Sequence, residues 1–224
     1  MVESTNQSNV MTGGLMTGEI PQVKINSISF TAKGDFFTVG TSTGFMVYQT
    51  EPYKQLNSTP IEGGVRTVHM LSCEGQKIFV ALVGSGLCPK YPRHKIVFWE
   101  AGKPTGASEI NFADTLGVIS VRSVGGIIVA GLQNHIRGFM LRDFSKIFQI
   151  NTCENPKGLF AISSHEGVVS VASPNIQPGT VHFTKFRNGK LMDNMKPLVI
   201  AAHQNAISAI TLNRDGSFLA TMSD

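Results

Sequence analysis

Five times along the 224 residues a glycine turn runs into a short apolar stretch. The stretches are Phe36-Phe37-Thr38-Val39-Gly40 after Gly34-Asp35, Ile78-Phe79-Val80-Ala81 after Gly75-Gln76-Lys77, Ile127-Ile128-Val129-Ala130-Gly131 after Gly126, Val168-Val169-Ser170-Val171-Ala172 after Gly167, and Phe218-Leu219-Ala220-Thr221 after Gly216-Ser217. Their glycines stand about 41, 51, 41 and 49 residues apart, near the period of propeller blades. Each stretch is strand-length, and a polar break then leads to a second β-rich run, the pattern of adjacent antiparallel strands. In the first unit, Thr41-Ser42-Thr43-Gly44 separates the stretch from Phe45-Met46-Val47-Tyr48, a hairpin in which Gly44 supplies positive φ. In the second, a long loop over 84–95 leads into Ile96-Val97-Phe98-Trp99-Glu100, and Trp99-Glu100 stands where propeller repeats carry Trp-Asp. No segment sustains a capped 3.6-residue pattern, so helices are few and short. The pattern predicts an all-β propeller of WD-repeat type. Its four-stranded blades are expected over 23–53, 65–100, 109–142 and 144–186, with a fifth begun at 198 and cut after Ser223-Asp224.

Composition narrows the setting. A hydrophobic share of 42% suffices for a core over residues 23–224. Residues 1–22, rich in Ser, Thr, Asn and Gly, read as a flexible polar lead-in with no signal-peptide pattern. The longest apolar stretch, 124–132, is far below the roughly 20 residues that span a bilayer, which leaves peripheral membrane contact. Three cysteines, Cys73, Cys88 and Cys153, without close pairing suit a reducing compartment and a cytoplasmic protein. The net charge of +4 leans towards an anionic partner, and an ordinary solvated surface accounts for it equally well.

Several catalytic patterns fail. Gly84-Ser85-Gly86 lacks the outer glycines of a nucleophile elbow, since Val83 and Leu87 stand there. Cys73, Cys88 and His94 have no zinc spacing, and Cys153 reads as a buried strand residue. Val124-Gly125-Gly126 is followed by neither Gly-Lys-Ser/Thr nor a helix. The basic Lys185-Phe186-Arg187-Asn188-Gly189-Lys190 is a hairpin turn with solvated charges rather than a nucleic-acid patch. The expectation is a non-enzyme with no cofactor, no metal site and no nucleic-acid partner.

Several stretches resemble the PROPPINs, the phosphoinositide-binding propellers of autophagy. They are Gly40-Thr41-Ser42-Thr43-Gly44-Phe45 with Tyr48 and Glu51-Pro52-Tyr53, Ala81-Leu82-Val83-Gly84-Ser85-Gly86, Pro89-Lys90-Tyr91-Pro92, Asn155-Pro156-Lys157-Gly158-Leu159, Ala202-His203, and Asn213-Arg214-Asp215-Gly216-Ser217-Phe218-Leu219-Ala220-Thr221. Their order and spacing carry the resemblance. It implies seven blades, of which about four and a half are present here. It also implies binding of phosphatidylinositol 3-phosphate and 3,5-bisphosphate, and recruitment of lipid-transfer and conjugation machinery to the autophagosome precursor. The expected location is cytoplasmic, peripheral to preautophagosomal, endosomal or vacuolar membranes.

The family's Phe/Leu-Arg-Arg-Gly motif follows the fifth blade and is absent from these residues, so the resemblance implies a truncated propeller with a partial first pocket. His203, Thr221 and Ser223 would hydrogen-bond the headgroup there. His203 equally fits the structural histidine of many propeller repeats, and Thr221 and Ser223 fit ordinary sheet polarity. The loop 87–95 is basic with an aromatic, and Pro92-Arg93 match the family's contact pair for its large autophagy lipid-transfer protein. In the first blade Lys33 stands where some members carry an acid. The alternative is a protein-interaction propeller scaffold without lipid binding. An unclosed array is expected to leave strand edges and a blade face exposed.

Overall fold

The computed structural model describes residues 22–74, 77–88, 90–103, 106, 108–192 and 197–223. The expected lead-in, apart from Gln22, and the turn residues Gly75 and Gln76 lie outside the described residues. All regular elements described are strands. The first sheet is β1 (Ile25–Phe30), β2 (Phe36–Thr41), β3 (Gly44–Gln49) and β4 (Lys54–Pro60). The second is β5 (Val65–Glu74), β6 (Lys77–Gly84), β7 (Lys95–Glu100) and β8 (Ser108–Asn111). The third is β9 (Ser120–Val124), β10 (Ile127–Gly131), β11 (His135–Met140) and β12 (Lys146–Asn151). The fourth holds β13 (Ala161–His165), β14 (Val168–Pro174) and β15 (Thr180–Arg187), with both β16 (Lys190–Leu191) and β17 (Leu198–Ala201) paired along β15. A two-stranded fifth sheet is β18 (Ile207–Leu212) and β19 (Leu219–Ser223). All pairings are antiparallel between chain neighbours, save that β17 reaches back to β15.

The five glycine-led stretches form β2, β6, β10, β14 and β19, the second strand of each sheet. First strands of successive sheets adjoin, β1 with β5, β5 with β9, β9 with β13 and β13 with β18, so the sheets stand side by side as blades of an open propeller. The core is correspondingly divided into layers between blades. Val80 and Leu82 of β6 pack with Phe45 and Val47 of the first blade, while Ala81 and Val83 face Val121, Ile128 and Ala130 of the third. Ile127 and Val129 of β10 in turn meet Val169 and Val171 of β14. A strand buried on both faces has no polar alternation, which is why β6 and β10 read as unbroken apolar runs, while β14 buries Ser170 and Ser173 among its apolar residues.

Blade boundaries differ from the expected ones in a consistent way. The expected bounds put β8, β12 and β17 in the following blade and leave β4 outside the first, whereas each is the outermost strand of the blade before it. These strands lie at the rim with few buried positions, so neither an apolar run nor a glycine turn marks them. The expected hairpins hold: Gly44 adopts φ 151° where a Cβ would overlap the Thr59 carbonyl, and Asn188-Gly189 turns with φ 50° and 75° between β15 and β16.

Polar ties supplement the apolar layers. Thr38 Oγ1 donates to the Val68 carbonyl at 2.8 Å and Asn26 Nδ2 to the Val65 carbonyl at 2.8 Å, both from the first blade to β5. Ser29 Oγ lies 2.6 Å from Nδ1 of the buried His69. Burial above all, with the nearby Arg122 charge, pushes the pKa of His69 down to about 3, against a hydrogen bond to the Ser123 backbone. The neutral ring therefore donates to Ser123 on β9 and accepts from Ser29 on β1, joining three blades.

Candidate functional site

Two of the three residues expected in the headgroup pocket meet. His203 lies between β17 and β18, where its N–H donates to the Gly179 carbonyl at 2.9 Å and that of Ala202 donates to the same oxygen at 3.1 Å. Gly179 has φ 77°, and a Cβ on it would overlap the His203 carbonyl, so the close approach requires glycine. His203 Nε2 then lies 2.9 Å from Thr221 Oγ1 on β19. Thr221 and Ser223 share one face of β19 by alternation, with exposed Met222 on the other. Ser223 makes no side-chain hydrogen bond among the described residues. The three residues are half-buried and offer hydroxyl and imidazole hydrogen-bonding groups. Arg214 belongs to the β18–β19 turn, at the opposite end of the hairpin from the Ile207–Ser223 pair.

The second surface is the loop between β6 and β7. Cys88 and Tyr91 are buried in the layer between the first and second blades, with Tyr91 tilted against Trp99 at 5.6 Å between ring centroids. The aromatic residue expected to face a partner thus points inward. Leu87 projects instead, 79% exposed. Pro92 is half-buried and Arg93 exposed. Arg93 Nε donates to the Ser85 carbonyl, and the Arg93 carbonyl accepts from Val118 N–H at 2.9 Å. Lys95 is paired with Glu109 at 2.7 Å.

Arg66, at the start of β5, is not singled out by the sequence. Its Nη1 reaches the Leu116 carbonyl at 3.4 Å beside Arg93, a meeting of segments far apart in the chain. Lys33 stands in the β1–β2 turn, as expected.

Cys153 corrects another expectation: it sits half-buried in the loop after β12 rather than in a strand. Burial pushes its thiol up, which disfavours the reactive thiolate. Cys88 is likewise a free thiol. Among the described residues no group of three or more His, Cys, Asp or Glu is placed to hold a metal ion, and no helix is long and apolar enough to cross a membrane.

No family model matches the chain. Among curated proteins, Autophagy-related protein 18e of Arabidopsis thaliana is 30% identical over 204 residues, covering 90% of this chain and 52% of its own length. The solved structure of Kluyveromyces lactis Hsv2 superposes with a TM-score of 0.69 at 20% identity, covering 90% of this chain and 58% of that one. KlAtg21, solved in complex with the coiled-coil of AgAtg16, gives a TM-score of 0.68 at 18% identity over 89% of this chain and 63% of that one. The chain spans about half the length of the curated relatives it matches. Its blades and its sequence together make it a homologue of the Atg18, Hsv2 and SVP1-like proteins of the PROPPIN family.

Proposed function

We propose that this chain acts as a phosphoinositide-binding autophagy adaptor, peripheral to membranes that carry phosphatidylinositol 3-phosphate or 3,5-bisphosphate. The propellers of this family are non-catalytic scaffolds, which makes recruitment the natural role. The observation that carries the reading is the 2.9 Å contact between His203 and Thr221 within a chain homologous to autophagy proteins over 90% of its length. Ser223 lies two residues along the same face of β19, and the three side chains offer hydroxyl and imidazole groups suited to phosphate oxygens.

Pro92 and Arg93 are the proposed contact for a large lipid-transfer protein. Cys88 and Tyr91, buried between the first and second blades, anchor the loop that carries them. The test is relocation in starved cells. The tagged protein is expected to collect at membranes marked by phosphatidylinositol 3-phosphate and to disperse when the lipid kinase is inhibited; a diffuse distribution in both conditions contradicts the lipid reading.

A further inference from the structure

The turn between β11 and β12 presents Ser145 to solvent. Its residues Leu141-Arg142-Asp143-Phe144-Ser145 put Arg142 three positions before the serine, and Arg142, Asp143 and Ser145 are all exposed. Asp143 Oδ1 closes the turn, accepting from the Ser145 N–H at 3.0 Å and from its hydroxyl at 2.6 Å. Between them Phe144 is held at φ 57°, a region that a bulky side chain seldom enters. Its N–H donates to the Met140 carbonyl at 2.9 Å, and its ring stacks on Phe98 of the second blade with centroids 4.4 Å apart. The Asp143–Ser145 hydrogen bonds thus hold in place a ring that joins two blades. Free cations lie close by. A Cβ on Gly189, in the β15–β16 turn, would stand 2.9 Å from Met140 Sδ, and the Met140 N–H donates to the Ser145 carbonyl at 2.9 Å. Lys146, Arg187 and Lys190 are exposed around these turns and pair with no carboxylate among the described residues.

We propose that Ser145 is a phosphorylation site for a basophilic serine kinase, and that its phosphate releases Phe144 from Phe98. The ion pair of Arg142 with Asp143, at 3.2 Å, is exposed and weak, so the guanidinium is free to turn to an acidic kinase pocket. With Mg-ATP as donor, the Ser145 oxygen bonds to the γ-phosphorus, its proton passes to the kinase's catalytic aspartate, and ADP leaves with the electrons of the broken bond. The ester oxygen has no hydrogen to donate, and a charge of about −1.5 to −2 then faces the Asp143 carboxylate. The turn opens, Phe144 returns to negative φ, and the phosphate moves towards Lys146, Arg187 and Lys190. Arg214-Asp215-Gly216-Ser217 repeats the pattern, with Asp215 accepting from Ser217 at 2.9 and 2.6 Å. There glycine takes φ 72° without strain, and no ring is released.

The test incubates the whole chain with Mg-ATP and a panel of basophilic serine kinases and maps the products by peptide mass spectrometry. Phosphate is expected on Ser145, at a rate roughly tenfold or more lower in Arg142→Gln, whose thermal unfolding should match that of the parent. Hydrogen exchange at the Phe144 and Ser145 amides should accelerate roughly tenfold in the phosphorylated chain, and treatment with a phosphatase should reverse it. No phosphate on Ser145 with any kinase of the panel, or an unchanged rate in Arg142→Gln, overturns the site. Unchanged exchange in the phosphorylated chain overturns the release of Phe144.

Discussion

Ser29 and His69 face each other across the first two blades, with Oγ 2.6 Å from Nδ1. The imidazole remains neutral in the fold down to about pH 3, whereas in the unfolded chain it takes up a proton near 6.5. Its contribution is therefore complete above pH 6.5 and falls as the pH drops towards 3, by about 1.4 kcal/mol per unit. Chemical denaturation at pH 7 and pH 5 should differ by about 2 kcal/mol from this group, and His69→Gln should flatten the profile. Asp143 and Asp215, held below the usual carboxylate range chiefly by Ser145 and Ser217, titrate under this window. An unchanged slope in His69→Gln contradicts the assignment.

Gly179 sets the position of His203. Gly179→Ala forces a Cβ into the His203 carbonyl at positive φ, and a loss of about 1–3 kcal/mol is expected in thermal or denaturant unfolding. Gly167→Ala has open space around its Cβ and shares the positive φ, so it should cost only the backbone part. Equal losses for the two would mean that the close approach contributes nothing.

Much of this fold is legible in the residues. β6 and β10 are apolar on both faces because each is packed between neighbouring blades. The rim strands escape notice because few of their side chains are buried: β8 is Ser-Glu-Ile-Asn with Ile110 alone inside. Within the site, Thr221 is visible from the repeat, and its meeting with His203 follows from family resemblance. Arg66 is not visible, because it reaches Arg93 and Leu116 only after β5 and the β6–β7 and β8–β9 loops have come together. The inward turn of Tyr91 is hidden for the same reason: its partner Trp99 lies across the loop.

The outer face of the first blade is apolar and open. Ile28 and Phe30 are more than half exposed, and Phe30, Phe37, Tyr48 and Tyr53 follow one another in a row with centroids 5.3, 4.9 and 5.8 Å apart. Such a face promotes association. Ile28→Lys with Phe30→Lys should lower the apparent mass of the chain in light scattering as concentration rises; an unchanged concentration dependence places association elsewhere.

Arg93, the proposed partner contact, is exposed and lies outside the buried core. Arg93→Ala should weaken capture of the lipid-transfer protein in a pull-down by roughly tenfold, the usual scale for a charged hydrogen-bonded contact, while the far-ultraviolet dichroism is unchanged. Full retention by the variant removes this loop from the interface.

The His203 and Thr221 pair is proposed to belong to a phosphoinositide site. Liposome sedimentation tests this by comparing vesicles that contain phosphatidylinositol 3-phosphate with vesicles that contain phosphatidylinositol. The protein should sediment preferentially with the phosphorylated lipid, and His203→Ala and Thr221→Val should each weaken that preference several-fold. Equal sedimentation with both lipids, or variants that bind as the parent does, would contradict the account.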